Sequence, residues 1–208
     1  MNPETEKLLH EKLVREEKLR KLTFAAMMTA LVFVSNYLRI VLPIAVGGVT
    51  AFTLANIMCT LSGLMLGPWW GLAAAGLGSA LYDLTNPVYA VEAPITFFTK
   101  GTYGLVAGLV LYYVFVKQLK QERSGYLPMV ASALCAAVAF LAIYSVKVYF
   151  YNGMLVQGFT EPVQCWALIV AKLPATLVNG ALAVIFAPIL GVALHKALKA
   201  AHLEINPA

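Results

Sequence analysis

Apolar residues along this chain run in long blocks. Short polar, proline or glycine segments interrupt them. Blocks of about 17–25 residues match the ~30 Å a helix must cross in hydrocarbon. Backbone polar groups in lipid need internal partners, so such blocks predict helices. The pattern predicts six spans: Leu22–Leu42, Thr50–Leu66, Trp69–Leu84, Ile95–Val116, Leu127–Phe150 and Val163–Leu194. The breaks are turn or helix-ending signals: Pro43 with Gly47-Gly48, Gly67-Pro68, Asn86-Pro87 with Pro94, the hydrophilic loop Lys117–Gly125, and a loop over Tyr151–Glu161 that ends at Pro162. The last block is long enough to split, kink or protrude. Pro174 and Pro188 are its kink candidates, because proline removes a helical hydrogen bond. The expected class is an all-α membrane protein of six transmembrane helices.

Charge placement adds an orientation. Residues 1–22 carry eleven charged side chains and no apolar core, so this segment reads as a solvated or membrane-surface helix and not as a cleavable signal. Glu16–Arg20 and Glu17–Lys21 are acid-to-base pairs at helical spacing within it. Six spans put both termini on one side. The segments on that side, 1–22, 117–126 and 195–208, hold eleven Lys and Arg, whereas the opposite loops near 43–49, 85–94 and 151–162 hold none. The positive-inside rule places both termini in the cytoplasm of a cell with a plasma-membrane location for the bundle. The expected organisation is a charged cytoplasmic helix over 1–21, a transmembrane domain over 22–198 and a cytoplasmic tail over 199–208. A net charge of +5 and a pI near 9.1 do not signal nucleic acid, because the basic residues flank the apolar spans. Cys59, Cys135 and Cys165 stand alone in apolar sequence, without metal spacing, and read as buried free thiols.

The remaining four basic residues, Arg39, Lys100, Lys147 and Lys172, fall inside spans. A lysine at mid-membrane costs roughly 2.5–3.5 kcal/mol on insertion scales, so three of them call for a polar pocket. At 1.5 Å per residue, Lys100 lies about 8 Å and Lys172 about 14 Å from the outer surface, and Lys147 about one turn below it. Asp83 and Asn86 sit at the outer end of the third span, Glu92 and Glu161 in outer loops, and Asn56 about 9 Å into the second span. The polar groups therefore gather in the outer half of the bundle.

Helical spacing sharpens that reading. Lys100 shares a face with Gly104 and Gly108, a small-residue pattern that lets helices approach and turns Lys100 inward. Lys172 shares a face with Leu168, Thr176 and Asn179; Tyr144 and Tyr151 flank Lys147. Tyr82, Tyr89, Phe97, Tyr103 and Trp166 add aromatic surface at the same level. Aromatic walls with a few convergent polar groups are the usual form of a small-molecule pocket. The candidate binding residues are Lys172, Lys100, Lys147, Asp83, Asn56, Glu92, Tyr89, Tyr103, Trp166 and Asn179. Plainer readings stand beside this one. Lys147 and Arg39 have stems long enough to snorkel to the interface. Lys100 has Asp83 and Glu92 as candidate ion-pair partners. The aromatic residues also fit an interfacial belt.

Several chemistries have no support. There is no phosphate loop of the GxxxxGKS/T type, and the Gly71–Gly78 stretch lies in an apolar span, not at a strand–helix turn. His10, His195 and His202 lie in or beside the tails, no catalytic set is visible, and no cofactor or metal is expected.

The order of motifs resembles the substrate-binding S components of energy-coupling factor (ECF) vitamin transporters. Ala26-Met27-Met28-Thr29-Ala30 follows a basic tail in an AxxxA pattern. Gly63 to Gly71, with Gly67-Pro68 between, is similar to the family's GxxxGPxxG hinge and leads through Gly78 to Asp83. Asn86-Pro87-Val88-Tyr89 and the TKGTYGLVAGL start of the fourth span continue the likeness over residues 22–195. The resemblance implies a membrane-embedded, non-enzymatic subunit that captures a vitamin from outside. It implies docking through Ala26 and Ala30 on a transmembrane coupling subunit, with two ATPase subunits supplying energy. Three lysines favour an anionic ligand of the folate, pantothenate or lipoate kind; the aromatic residues suit a flavin or pterin ring. The competing expectation is a solitary secondary transporter or channel for a small organic anion, although no inverted repeat relates the two halves.

Overall fold

The computed structural model describes residues 3–43, 49–122, 124–201 and 203. The expected Gly47-Gly48 turn, Arg123, His202 and the last residues of the tail lie outside the described residues.

Among the described residues six α-helices form, with one β-hairpin between the first two: α1 (Pro3–Tyr37), β1 (Arg39–Pro43), β2 (Val49–Thr53), α2 (Ala55–Leu66), α3 (Pro68–Thr85), α4 (Ala93–Leu109), α5 (Tyr126–Lys147) and α6 (Pro162–Ala200). A 3-10 turn, Ala90–Glu92, leads into α4. Two helices continue as π-helical segments, Val110–Gln118 after α4 and Val148–Val156 after α5. With these additions, 90–118, 126–156 and 162–200 are long and apolar enough to cross a membrane alone.

The six-helix, all-α class holds, and three details of the spans need correction. First, the ends of the first two predicted spans form the antiparallel hairpin β1–β2, with Arg39 opposite Thr53 and Val41 opposite Ala51. Ile40-Val41-Leu42 and Val49-Thr50 are β-branched-rich short runs, which apolarity alone does not separate from helix. Second, α2 is therefore only 12 residues, about 18 Å, and does not cross by itself. Third, the π segment after α5 takes Tyr151–Val156 out of the expected loop; the Gln157 amide donates to the Asn152 carbonyl, the five-residue step of a π turn. Of the three outcomes open to the last block, α6 does not split: it is one helix of 39 residues with Pro174 and Pro188 inside it, about 58 Å long and so able to protrude beyond the hydrocarbon. The charged start of the chain is likewise continuous with the first apolar span in α1, and Lys21 pairs with Glu17 at 3.6 Å.

Glycine sets the helix crossings. The α2–α3 turn has Gly67 at φ 84°, a conformation open to glycine. A Cβ on Gly104 would lie 2.2 Å from the Gly71 carbonyl oxygen, and one on Gly63 would lie 2.1 Å from that of Gly104. The backbones of α2, α3 and α4 thus touch at one place. Val32, Cys59, Leu64, Leu111, Met129 and Ala183 fill the core beneath. Cys59 and Cys165 are buried, but Cys135 is exposed on the bundle surface.

Candidate substrate cavity

The end of α1, the hairpin, the start of α2, the end of α3, the start of α4, the end of α5 and the start of α6 all lie at one end of the bundle. A cavity of about 340 Å³ opens there, lined by residues from each of these elements. That is within the usual small-ligand range of about 300–1,000 Å³.

Asn56 and Lys100 form the floor. The close contact at Gly104 brings α4 against α2, and Lys100, one turn earlier, donates to the Asn56 Oδ1. The Asn56 amide in turn donates to the Tyr103 hydroxyl at 3.3 Å. The Lys100 ammonium also lies 5.3 Å from the centre of the Phe140 ring. Phe140 stacks between Tyr103, 4.4 Å between centroids, and Tyr144, 5.3 Å. This ladder places two parallel rings, Phe140 and Tyr144, on the cavity wall.

The adjoining wall carries an ion pair. Lys147 donates to Glu92 Oε2 at 2.6 Å, and the Asn152 amide donates to Glu92 Oε1 at 3.3 Å. The Lys147 side chain is only 9% exposed, so it points inward and does not snorkel. Glu92 pairs with Lys147 and not with Lys100. Lys172 lines the same wall from α6; its carbonyl accepts from the Thr176 hydroxyl at 2.9 Å, and its ammonium makes no hydrogen bond or ion pair among the described residues. Asp83 faces Thr96 across the α3–α4 side of the cavity.

The hairpin forms the rim. Asn179 on α6 holds it in place: its Oδ1 accepts from the Thr53 amide at 2.9 Å and its Nδ2 donates to the Ala51 carbonyl at 2.7 Å. Arg39, at the start of β1, lies over the rings of Tyr82 and Tyr89, 4.8 and 4.9 Å from their centroids.

Of the ten candidate residues, Lys172, Lys100, Lys147, Asp83, Asn56, Glu92, Tyr89 and Asn179 line the cavity. Tyr103 does not; it is fully buried behind Asn56. Trp166 is displaced altogether: it is 60% exposed on the bundle surface, edge-on to Tyr149. Asn179 supports the rim, since both ends of its amide are engaged by β2. Sequence reasoning missed Phe140, Asn152, Gln157 and the hairpin residues Thr50 and Thr53; Arg39, expected to snorkel, and Tyr144, noted only as a neighbour of Lys147, are also on the lining. Phe140 and Tyr144 had a signal: with Lys147 they occupy one face of α5 at spacings of four and three. Ala26 and Ala30 lie on the exposed side of α1. Among the described residues no group of three or more His, Cys, Asp or Glu is placed to hold a metal.

The lining holds four cations, Arg39, Lys100, Lys147 and Lys172, and two carboxylates, Asp83 and Glu92. The arrangement offers flat aromatic surface, several hydrogen-bond donors and a surplus of positive charge, and is suited to binding.

The ECF-type riboflavin transporter S component family matches residues 16–196. Among solved structures, the chain is similar to the S component of a bacterial ECF transporter, with a TM-score of 0.59 at 15% identity over 89% of this chain and 98% of that one. It is also similar to the S component for biotin from an ECF-type ABC transporter, with a TM-score of 0.51 at 17% identity over 84% and 92%. No curated protein matches the sequence. At such identities the two structures speak to the fold, whereas the family match spans most of the chain. The six-helix bundle with its cavity at one end is thus that of a membrane transport subunit, and the chain belongs to the family of ECF-type transporter S components.

Proposed function

We propose that this chain is the high-affinity capture subunit of an ECF importer and that its ligand is a ring-bearing vitamin of the riboflavin class. The observation that carries this reading is the Phe140–Tyr144 ring wall beside Asn56, Lys100 and Lys172. A flat heteroaromatic ring stacks on the first while its polar edge meets the others. The family match to riboflavin-type S components supports the ring class. In this reading the cavity opens to the outside of a prokaryotic plasma membrane and both termini are cytoplasmic, in line with the basic residues that flank the spans. The exposed Ala26 and Ala30 face of α1 docks on the transmembrane coupling subunit, since close packing drives association in lipid. Two ATPase subunits complete the importer.

Titration of the detergent-purified chain with riboflavin, read by loss of flavin fluorescence, tests the ligand. Saturable one-to-one binding that weakens in Lys172→Ala is expected. Binding unaffected by Lys172→Ala would overturn the site assignment. Uptake of the vitamin by the chain alone in liposomes, without ATP or partners, would overturn the subunit reading in favour of a solitary carrier.

A further inference from the structure

Among the four cavity cations, two have an internal partner. Lys147 is neutralised by Glu92 and Lys100 donates to Asn56. The side chains of Lys172 and Arg39 make neither a hydrogen bond nor an ion pair among the described residues, and of these two only Arg39 carries a planar fork of donors. Asp83, the second cavity carboxylate, makes no ion pair with Arg39 among the described residues. Yet Arg39 is not loose. Its guanidinium rests against Tyr82 and Tyr89, Tyr82 is itself fixed edge-on by Tyr37 at 4.8 Å, and the residue is half-buried on the cavity lining. Backbone pairing of Arg39 with Thr53 ties its position to Asn179, which holds Thr53.

A guanidinium held on aromatic faces keeps its in-plane N–H donors free. Those donors match the two oxygens of a carboxylate or phosphate, a match that the ammonium of lysine lacks. A neutral ligand would leave a surplus of two positive charges in the cavity uncompensated. We infer that Arg39 is the recognition site for an oxyacid group, carboxylate or phosphate, carried by the ring-bearing ligand, and that the chain selects the charged form of that ligand over the neutral one. The inference rests on the ring-vitamin reading above. It adds the ligand's charge, and it assigns the end that faces the hairpin.

The test is a set of titrations of wild type, Arg39→Gln and Arg39→Lys with three flavins: riboflavin, riboflavin 5′-phosphate, and a flavin whose side chain ends in a carboxylate. Wild type is expected to bind at least one charged flavin more tightly than riboflavin, by about 10-fold or more, the size of a charge-assisted pair of hydrogen bonds. Arg39→Gln should cut that preference by about 10-fold, and Arg39→Lys by an intermediate factor, because charge survives and the fork does not. The better of the two charged flavins identifies the oxyacid. Wild type preferring riboflavin, or a preference within twofold of wild type in both variants, overturns the inference and leaves the ring reading standing. Equal loss of all three flavins in both variants does the same. Failure of all three to bind wild type overturns both. If Arg39→Gln does not yield a monodisperse protein, the Arg39→Lys preference decides.

Discussion

Lys147 on α5 meets Glu92, which caps the start of α4, across 2.6 Å, although 55 residues separate them. The pair fastens two helix ends beside the cavity. It also uses up both charges: neither is free to act as a lone ligand contact unless a ligand group displaces the other.

Removing one partner should therefore be worse than removing both. Glu92→Gln leaves the Lys147 ammonium nearly buried without a counter-charge, and about 2–4 kcal/mol of stability should be lost. The double variant Glu92→Gln/Lys147→Met should recover much of it. Thermal unfolding in detergent checks this, and a double variant less stable than the single one would refute the account.

Asn179 should govern the hairpin more than the ligand directly. Asn179→Leu deletes both amide contacts to β2, each about 1 kcal/mol. Hydrogen exchange at the Thr53 amide should speed up, and the ligand should leave several-fold faster. Unchanged exchange at Thr53 would show that the strand is held by something else.

The two aromatic candidates make opposite forecasts. Phe140→Ala opens the ring ladder, and ligand affinity should fall about 10-fold, from lost stacking and lost apolar burial. Trp166→Ala, on the far surface, should change affinity by less than about twofold, as expected for a residue without ligand contact. Flavin titration of both variants separates a cavity wall from an interfacial belt.

Gly104→Ala should be among the most damaging small substitutions in the bundle. Its Cβ would sit 2.2 Å from a backbone oxygen, and backbone cannot rotate away as a side chain does. A loss of about 3 kcal/mol or more is expected, at the upper end of overpacking effects. Size-exclusion profiles and melting of the purified variant measure it; a monodisperse protein of wild-type stability would mean that the helices have room to part.

Much of this was legible locally. Run lengths, Gly67-Pro68 and Pro162 mark where helices start and stop, because hydrocarbon thickness and missing donors act within a few residues. Lys100, Gly104 and Gly108 share a face by helical period alone, so an inward Lys100 could be read from spacing. The hairpin could not: Ile40–Leu42 and Val49–Phe52 are short apolar runs whose pairing depends on α6, through Asn179, being beside them.

What the sequence by itself determined, then, is the six-helix inventory, the clustering of cations inside apolar spans, and the family they resemble. Only the tertiary structure decided the assignments within the cavity. It turned Trp166 outward, set Tyr103 behind Asn56, chose Glu92 as the partner of Lys147, and laid Arg39 on two tyrosine rings. The physical reason is that the orientation of α2, α3 and α4 is fixed where their backbones touch, at Gly63, Gly71 and Gly104, and that of α5 and α6 by packing against them. Those contacts join residues far apart in the chain, so no local pattern could fix where Asn56, Asp83 and Lys100 meet.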